Sequence, residues 1–174
     1  KTGGLADVTG SLPKYFDKKN YDVRVILPKY VCMEERWKGQ LHFLCHFYVN
    51  LSWRKQYVGI FETTYDGITY YLVDNEFYFA GNAPYNNIYE DVEKFAFFSK
   101  AVLEALPYLD FCPDIIHCHD WQTGLLPVFL RTLYGDEEYY TGIKTVFSIH
   151  NLKFQGRWKL PAVMDITGLP EQIF

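Results

Sequence analysis

Asp114-Ile115-Ile116-His117-Cys118-His119-Asp120-Trp121 is a short apolar run that turns polar at its carboxyl end and then meets a helix start. The run predicts a β-strand. Asp120 stands where a helix cap belongs, ahead of a helix expected over Trp121 to Tyr134. A second run of the same design follows: Lys144-Thr145-Val146-Phe147-Ser148-Ile149-His150, β-branched and closing on histidine. Strands that do not alternate, separated by a helix, are the pattern of a parallel sheet covered on both faces. In open sheets of that kind, ligands bind beyond the carboxyl ends of the strands. That rule directs attention to His119 to Trp121, and to His150 and Asn151.

Upstream, Val92, Phe95, Phe98, Val102 and Leu106 recur at helical spacing, and Pro107 stops the helix they predict. Asn82-Ala83-Pro84-Tyr85-Asn86-Asn87 is a loop by composition. Tyr57 to Thr64 and Ile68 to Val73 flank Tyr65-Asp66-Gly67, and Asp-Gly between two β-rich runs is a strong hairpin signal. Leu41 to Val49 predicts another strand. Val23-Arg24-Val25-Ile26-Leu27 predicts a buried parallel strand ended by Pro28. Leu5, Val8, Leu12, Tyr15 and Phe16 predict a helix from Leu5 to Lys19, with Pro13 a cost in its middle. The expected fold is α/β: a doubly wound, mainly parallel sheet with a β-hairpin insertion.

With 174 residues, one domain spanning 1–174 is the expectation. Seventeen Lys and Arg against 21 Asp and Glu give a net charge of −4, which argues against a nucleic-acid-binding surface. A hydrophobic content of 49% excludes a disordered chain. No apolar run reaches the ~18 residues of a membrane span, and no charged-then-apolar leader marks secretion. The chain opens on Lys1 and ends inside an apolar phrase at Phe174, so a piece of a larger protein is expected, cut at both ends. Cys32, Cys45, Cys112 and Cys118 contain no C-x-x-C pair, and reduced thiols of a cytosolic domain suit them. His42, Cys45 and His46 could be taken for a metal cluster. On a strand His42 and His46 share one face and Cys45 points to the other, so no metal is expected there.

Four groups could carry chemistry. In Lys1-Thr2-Gly3-Gly4-Leu5-Ala6-Asp7, two glycines before a helix start let backbone N–H groups approach an anion, and Lys1 adds a full charge. That suits a phosphate or pyrophosphate; the same spacing also fits an ordinary loop with Asp7 as a first-turn charge. In His117-Cys118-His119-Asp120-Trp121 the two histidines share a face, and Asp120 either accepts from a ligand hydroxyl or caps a helix. In His150-Asn151-Leu152-Lys153-Phe154-Gln155-Gly156, a histidine at a strand end can polarise a reacting group or hold a sugar hydroxyl. Tyr85, Trp121 and Trp158 could stack on sugar rings or pack in the core.

Together these segments resemble a known family. Lys1-Thr2-Gly3-Gly4-Leu5-Ala6-Asp7-Val8, His117-Cys118-His119-Asp120-Trp121-Gln122-Thr123-Gly124 and Ile149-His150-Asn151-Leu152-Lys153-Phe154-Gln155-Gly156 are similar to three ordered signatures of bacterial glycogen synthases and plant starch synthases. The resemblance implies the N-terminal, Rossmann-like half of a GT-B glycosyltransferase, lacking its first strand and its C-terminal nucleotide-binding domain. It implies retaining transfer of glucose from ADP-glucose to the non-reducing end of an α-1,4-glucan such as glycogen. It calls for no cofactor, metal, nucleic acid or membrane, and implies the bacterial cytosol, or a plastid for a plant protein. By motif it assigns His150 and Asp120 to the catalytic centre, and Lys1, Gly4, Asp7, Tyr85, His119 and Asn151 to substrate. The piece alone is expected to be inactive; a glucan-binding module without catalysis is the alternative.

Overall fold

The computed structural model describes residues 4–81, 84, 85 and 88–174. In chain order its elements are α1 (Gly4–Ser11), β1 (Arg24–Pro28), α2 (Glu35–Lys38), β2 (His42–Leu51), β3 (Arg54–Tyr65), β4 (Ile68–Asp74) and α3 (Glu76–Phe79). Then come α4 (Ile88–Ala105), β5 (Ile115–His119), α5 (Leu125–Thr132), α6 (Glu138–Thr141), β6 (Lys144–Ser148) and α7 (Leu160–Thr167). One sheet has the order β1-β4-β3-β2, and a second pairs β5 with β6. β1 runs parallel to β4, β3 antiparallel to β4, and β5 parallel to β6. This is the expected α/β, Rossmann-like class with parallel pairs and an inserted hairpin. The chain divides into two units, Lys1–Phe47 with Val58–Pro84, and Tyr48–Tyr57 with Tyr85–Phe174.

In the first unit β4 carries the interior: Ile68, Tyr71, Leu72 and Val73 are buried, as are Val58 and Ile60 of β3. The Asp66-Gly67 turn is the one the sequence predicts. Both residues have positive φ, 53° and 73°, which matches the right-handed twist of the flanking strands. Lys14 pairs with Asp66 at 2.6 Å, and Lys18 Nζ donates to Gly67 O at 3.2 Å. The helix expected from Leu5 to Lys19 is shorter. Pro13 offers no N–H to an α-helical ladder, so α1 ends at Ser11. A 3₁₀ turn over Leu12–Tyr15 follows, and Phe16 is extended. His42, Cys45 and His46 all lie on β2, as the strand pattern predicts. Among the described residues no three His, Cys, Asp or Glu side chains are grouped to hold a metal ion.

The second unit is built on α4, which packs against α5 and α7. Phe97, Leu103 and the alanines at 96, 101 and 105 are fully buried, as is Phe129 of α5. Tyr140 Oη donates to the Leu103 carbonyl at 2.9 Å, so the end of α4 is tied to α6. The tip of the β2–β3 hairpin belongs to this unit, and it is longer than expected. Ser52 adopts φ 54°, a turn conformation achieved without glycine, so the strands run on to Leu51 and restart at Arg54. Val49 and Leu51 are fully buried at that tip. Arg54 pairs with Glu93 of α4 and, at 2.9 Å, with Asp165 of α7, while Trp53 Nε1 donates to Asp165 at 3.3 Å. Among the described residues no helix is long and apolar enough to cross a membrane.

Truncating Phe97→Ala is expected to cost about 3–5 kcal/mol in denaturant unfolding, because it opens a cavity under α4. Phe77→Ala, at a side chain 76% exposed, is expected to stay within about 0.5 kcal/mol.

Candidate active site

The parallel register sets His119 beside Ser148, so β5 and β6 end side by side. Past His119 the chain turns sharply. Asp120 has φ 57° and ψ −179°, a region that residues with side chains avoid at a cost of about 1–3 kcal/mol. Hydrogen bonds on Asp120 and on the residues beside it hold it there. Its N–H donates to Ser148 O at 2.9 Å, and its carbonyl accepts from Thr123 N–H at 3.2 Å. Thr123 Oγ1 donates to His119 O at 3.0 Å. Asp120 Oδ1 accepts the backbone N–H of His150 at 2.6 Å; Asn151 N–H lies at 3.4 Å from the same oxygen. The carboxylate is buried, 6% exposed, and Oδ2 takes part in neither bond.

Asp120 is therefore not the helix cap its position suggests. It makes no side-chain cap bond, and the chain passes through a 3₁₀ turn, Trp121–Thr123, before α5 begins at Leu125. Its carboxylate serves the other strand end instead.

Three imidazoles gather at these ends. His117 Nε2 lies 2.7 Å from Ser148 Oγ, across from β5 to β6. The His117 ring lies 4.1 Å from that of His119 with 30° between planes. His119 Nδ1 lies 2.9 Å from His150 Nε2. Burial, reinforced by positive charge on His117 and His150, pushes His119 down to about 4, so it is neutral at neutral pH. Burial likewise lowers His117, with His150 adding to the effect. His150 and Asn151 are exposed. Asn151 Oδ1 accepts from Lys153 N–H at 2.9 Å, which closes the turn after His150.

Tyr85 joins the same unit through the residue that follows Trp121. Gln122 Nε2 donates to Tyr85 Oη at 2.9 Å, and burial raises the phenol against that bond. Gln122 Oε1 is buried without a partner. Trp121 is committed to packing: Phe95 meets it at 5.1 Å, nearly perpendicular, and Trp158 at 5.0 Å. Gly156 lies against it with φ 61°, where an added Cβ would fall 2.7 Å from Trp121 Cβ.

The structure thus brings His119, Asp120, His150 and Asn151 together, with Tyr85 linked through Gln122. In the first unit Gly4 opens α1 and Asp7 lies exposed in its first turn. Lys1 and Gly3 lie outside the described residues. Sequence reasoning gave no role to Ser148, Thr123 and Gln122; Gln122 and Thr123 stand in the motif that begins at His117, but their bonds to Tyr85 and to the His119 carbonyl are set by how the chain folds. Gly156 stood in a quoted motif, but its contact with Trp121 is tertiary.

All of residues 1–174 match the model of the starch synthase catalytic domain. Glycogen synthases of Lachnoclostridium phytofermentans and Lachnospira eligens are 64% and 61% identical over the whole chain. The chain spans 36% of the length of each of these curated relatives. It also resembles the catalytic domain of starch synthase IV from Arabidopsis thaliana, a structure bound to ADP and acarbose, with a TM-score of 0.85 and 29% identity. That likeness covers 98% of this chain and 35% of the other.

Asp120→Ala removes the acceptor of the His150 N–H while leaving the backbone twist, and is expected to cost about 1–3 kcal/mol. Hydrogen exchange at the His150 amide, expected to accelerate, tests whether that bond is the one lost. Gly156→Ala forces Trp121 aside at a positive φ and is expected to cost about 1–3 kcal/mol and shift the tryptophan emission.

Proposed function

We propose, since the chain belongs to the family of starch synthase catalytic domains, that it is part of a retaining glucosyltransferase. The enzyme moves glucose from ADP-glucose to the non-reducing end of an α-1,4-glucan such as glycogen. The observation that carries this is the paired strand ends, where Asp120 holds the backbone of His150 and His119 meets its ring. The rest of the protein supplies a nucleotide-binding domain, and the bacterial cytosol is its place.

Transfer breaks the bond between the anomeric carbon and the diphosphate oxygen. Positive charge grows on the sugar ring and negative charge on the departing ADP, while the 4-hydroxyl of the acceptor glucan bonds to the anomeric carbon. Lys1 and the amide of Gly4 are assigned to the diphosphate, where a cation and an N–H lower the energy of the leaving group. Asp7 lies near substrate by the same assignment. His150 and Asp120 are assigned to the glucose in the transition state, with His119, Asn151 and Tyr85 around it. Asn151 offers a donor and an acceptor to hydroxyls, and the Tyr85 hydroxyl, un-ionised at neutral pH, offers both.

The test is glucose transfer from labelled ADP-glucose to glycogen by the full-length protein that carries this chain. His150→Ala and Lys1→Ala are each expected to lower kcat/KM about a hundredfold or more. Unchanged rates remove the assigned roles. Glycogen binding without any transfer by the unaltered protein replaces the reading with that of a glucan-binding module.

A further inference from the structure

We infer that His119 is a positioning residue: its Nδ1 engages Nε2 of His150 and leaves Nδ1 of His150 as the nitrogen that meets a ligand. The inference rests on the proposed placement of His150 at the sugar. It departs from the expectation that His119 itself touches substrate.

The geometry decides between two ring arrangements. Two imidazoles can lie face to face, or edge to edge with one nitrogen of each on a common line. His119 and His150 have ring centres 5.2 Å apart, planes 19° apart, and bonded nitrogens at 2.9 Å. A small interplanar angle with so short a nitrogen contact is the edge-to-edge arrangement. It is the one a hydrogen bond needs, because both the N–H and the lone pair lie in the ring plane. Only one proton can occupy the line between the two nitrogens. Whichever ring carries it, Nε2 of His150 is committed to His119.

The rest of the cluster makes His119 a fixed wall. His117 packs on its face at 4.1 Å, and His117 is in turn held by Ser148 of β6 at 2.7 Å. Burial keeps His119 neutral, so it presents one lone pair and one N–H. His150 is fixed at both ends, its backbone N–H by Asp120 Oδ1 and its ring by His119 Nδ1. The residue is otherwise exposed, so the remaining ring edge, with Nδ1, is the one open to a substrate. An unheld imidazole on an exposed loop rotates and exchanges tautomers; a ring held in this way meets a sugar hydroxyl in one orientation.

Two substitutions separate this role from direct contact. The side-chain amide of asparagine falls near the place of a histidine Nδ1, and that of glutamine near Nε2. In the full-length protein, His119→Asn, which keeps an amide at the Nδ1 position, is expected to retain a kcat for ADP-glucose and glycogen at least about tenfold above that of His119→Gln. His119→Gln is expected to lower kcat about ten- to a hundredfold, with KM for the donor within about twofold, as misorientation of a reacting group does. The reverse pattern, Gln active and Asn impaired, means that His119 meets the ligand through Nε2 and overturns the proposal. Ring ¹⁵N NMR of His150 supplies a readout free of activity. At a pH where the His150 ring is neutral, the unaltered protein is expected to show one protonated and one unprotonated nitrogen, well separated, and His119→Gln to bring their shifts toward an average. An averaged His150 ring in the unaltered protein overturns the proposal. So does a ring unchanged by His119→Gln. If the unaltered protein transfers no glucose, the glucosyltransferase reading fails, and the NMR comparison alone decides whether His119 holds His150.

Discussion

One carboxylate oxygen, Oδ1 of Asp120, joins the ends of two strands, and the candidate site depends on that bond. The backbone at Asp120 sits in a conformation that costs about 1–3 kcal/mol. A hydrogen bond donated by a backbone N–H to a charged acceptor contributes about 1.5–3 kcal/mol. The two magnitudes match, so the twist and the bond stand together. Without the twist, the side chain would follow the strand and miss the chain past β6. Without the bond to His150, the strain of a left-handed backbone on a residue with a Cβ rests on the bonds of Asp120 to Ser148 and Thr123 alone. Asparagine could accept the same N–H, but with a weaker neutral oxygen. The buried carboxylate is thus a structural device as well as a candidate for contact with substrate.

The strands that frame this device were legible because their chemistry is local. Ile115 and Ile116, and Val146 and Phe147, read as parallel strands, and the change to histidine marks their ends; β5 and β6 do pair in parallel, but Ile115, Val146 and Phe147 are exposed. The Asp66-Gly67 turn was legible for the same reason, since two positive φ values in succession favour that dipeptide. The turn at Ser52 was not, because its φ of 54° is imposed by what the hairpin tip gains beyond it. Val49 and Leu51 are buried there, and Arg54 reaches Glu93 and Asp165, which are far away in sequence. Pro13 was recognised as a cost inside a helix; the structure resolves that cost by ending α1 before it.

The site follows the same division. His119, Asp120, His150 and Asn151 could be picked out because strand ends collect ligand groups in this class of fold. What each one does could not. By spacing Asp120 looked like a cap, and only the register of β5 against β6 turns its carboxylate toward the His150 amide. Trp121, a candidate platform for a sugar ring by type, is half-buried and packs against Phe95, Trp158 and Gly156. Phe95 belongs to the buried face of α4, so the main helix of the unit reaches the turn that carries Asp120. The aromatic there is a spacer between core and site.

The histidines complete this logic through charge. Three imidazoles on adjoining strand ends repel one another when protonated, and burial raises the cost further, so the interior member, His119, stays neutral. A neutral imidazole is the one state that can offer both a lone pair and an N–H. It can therefore bond His150 whichever tautomer His150 adopts. A lysine or arginine at position 119 would place a fixed cation against His150, and a carboxylate would place a second anion beside buried Asp120. Neutral imidazole avoids both while still directing a neighbour. The hydroxyls of the proposed sugar ligand carry no formal charge, and such a surface, polar, oriented and backed by the buried carboxylate of Asp120, suits them.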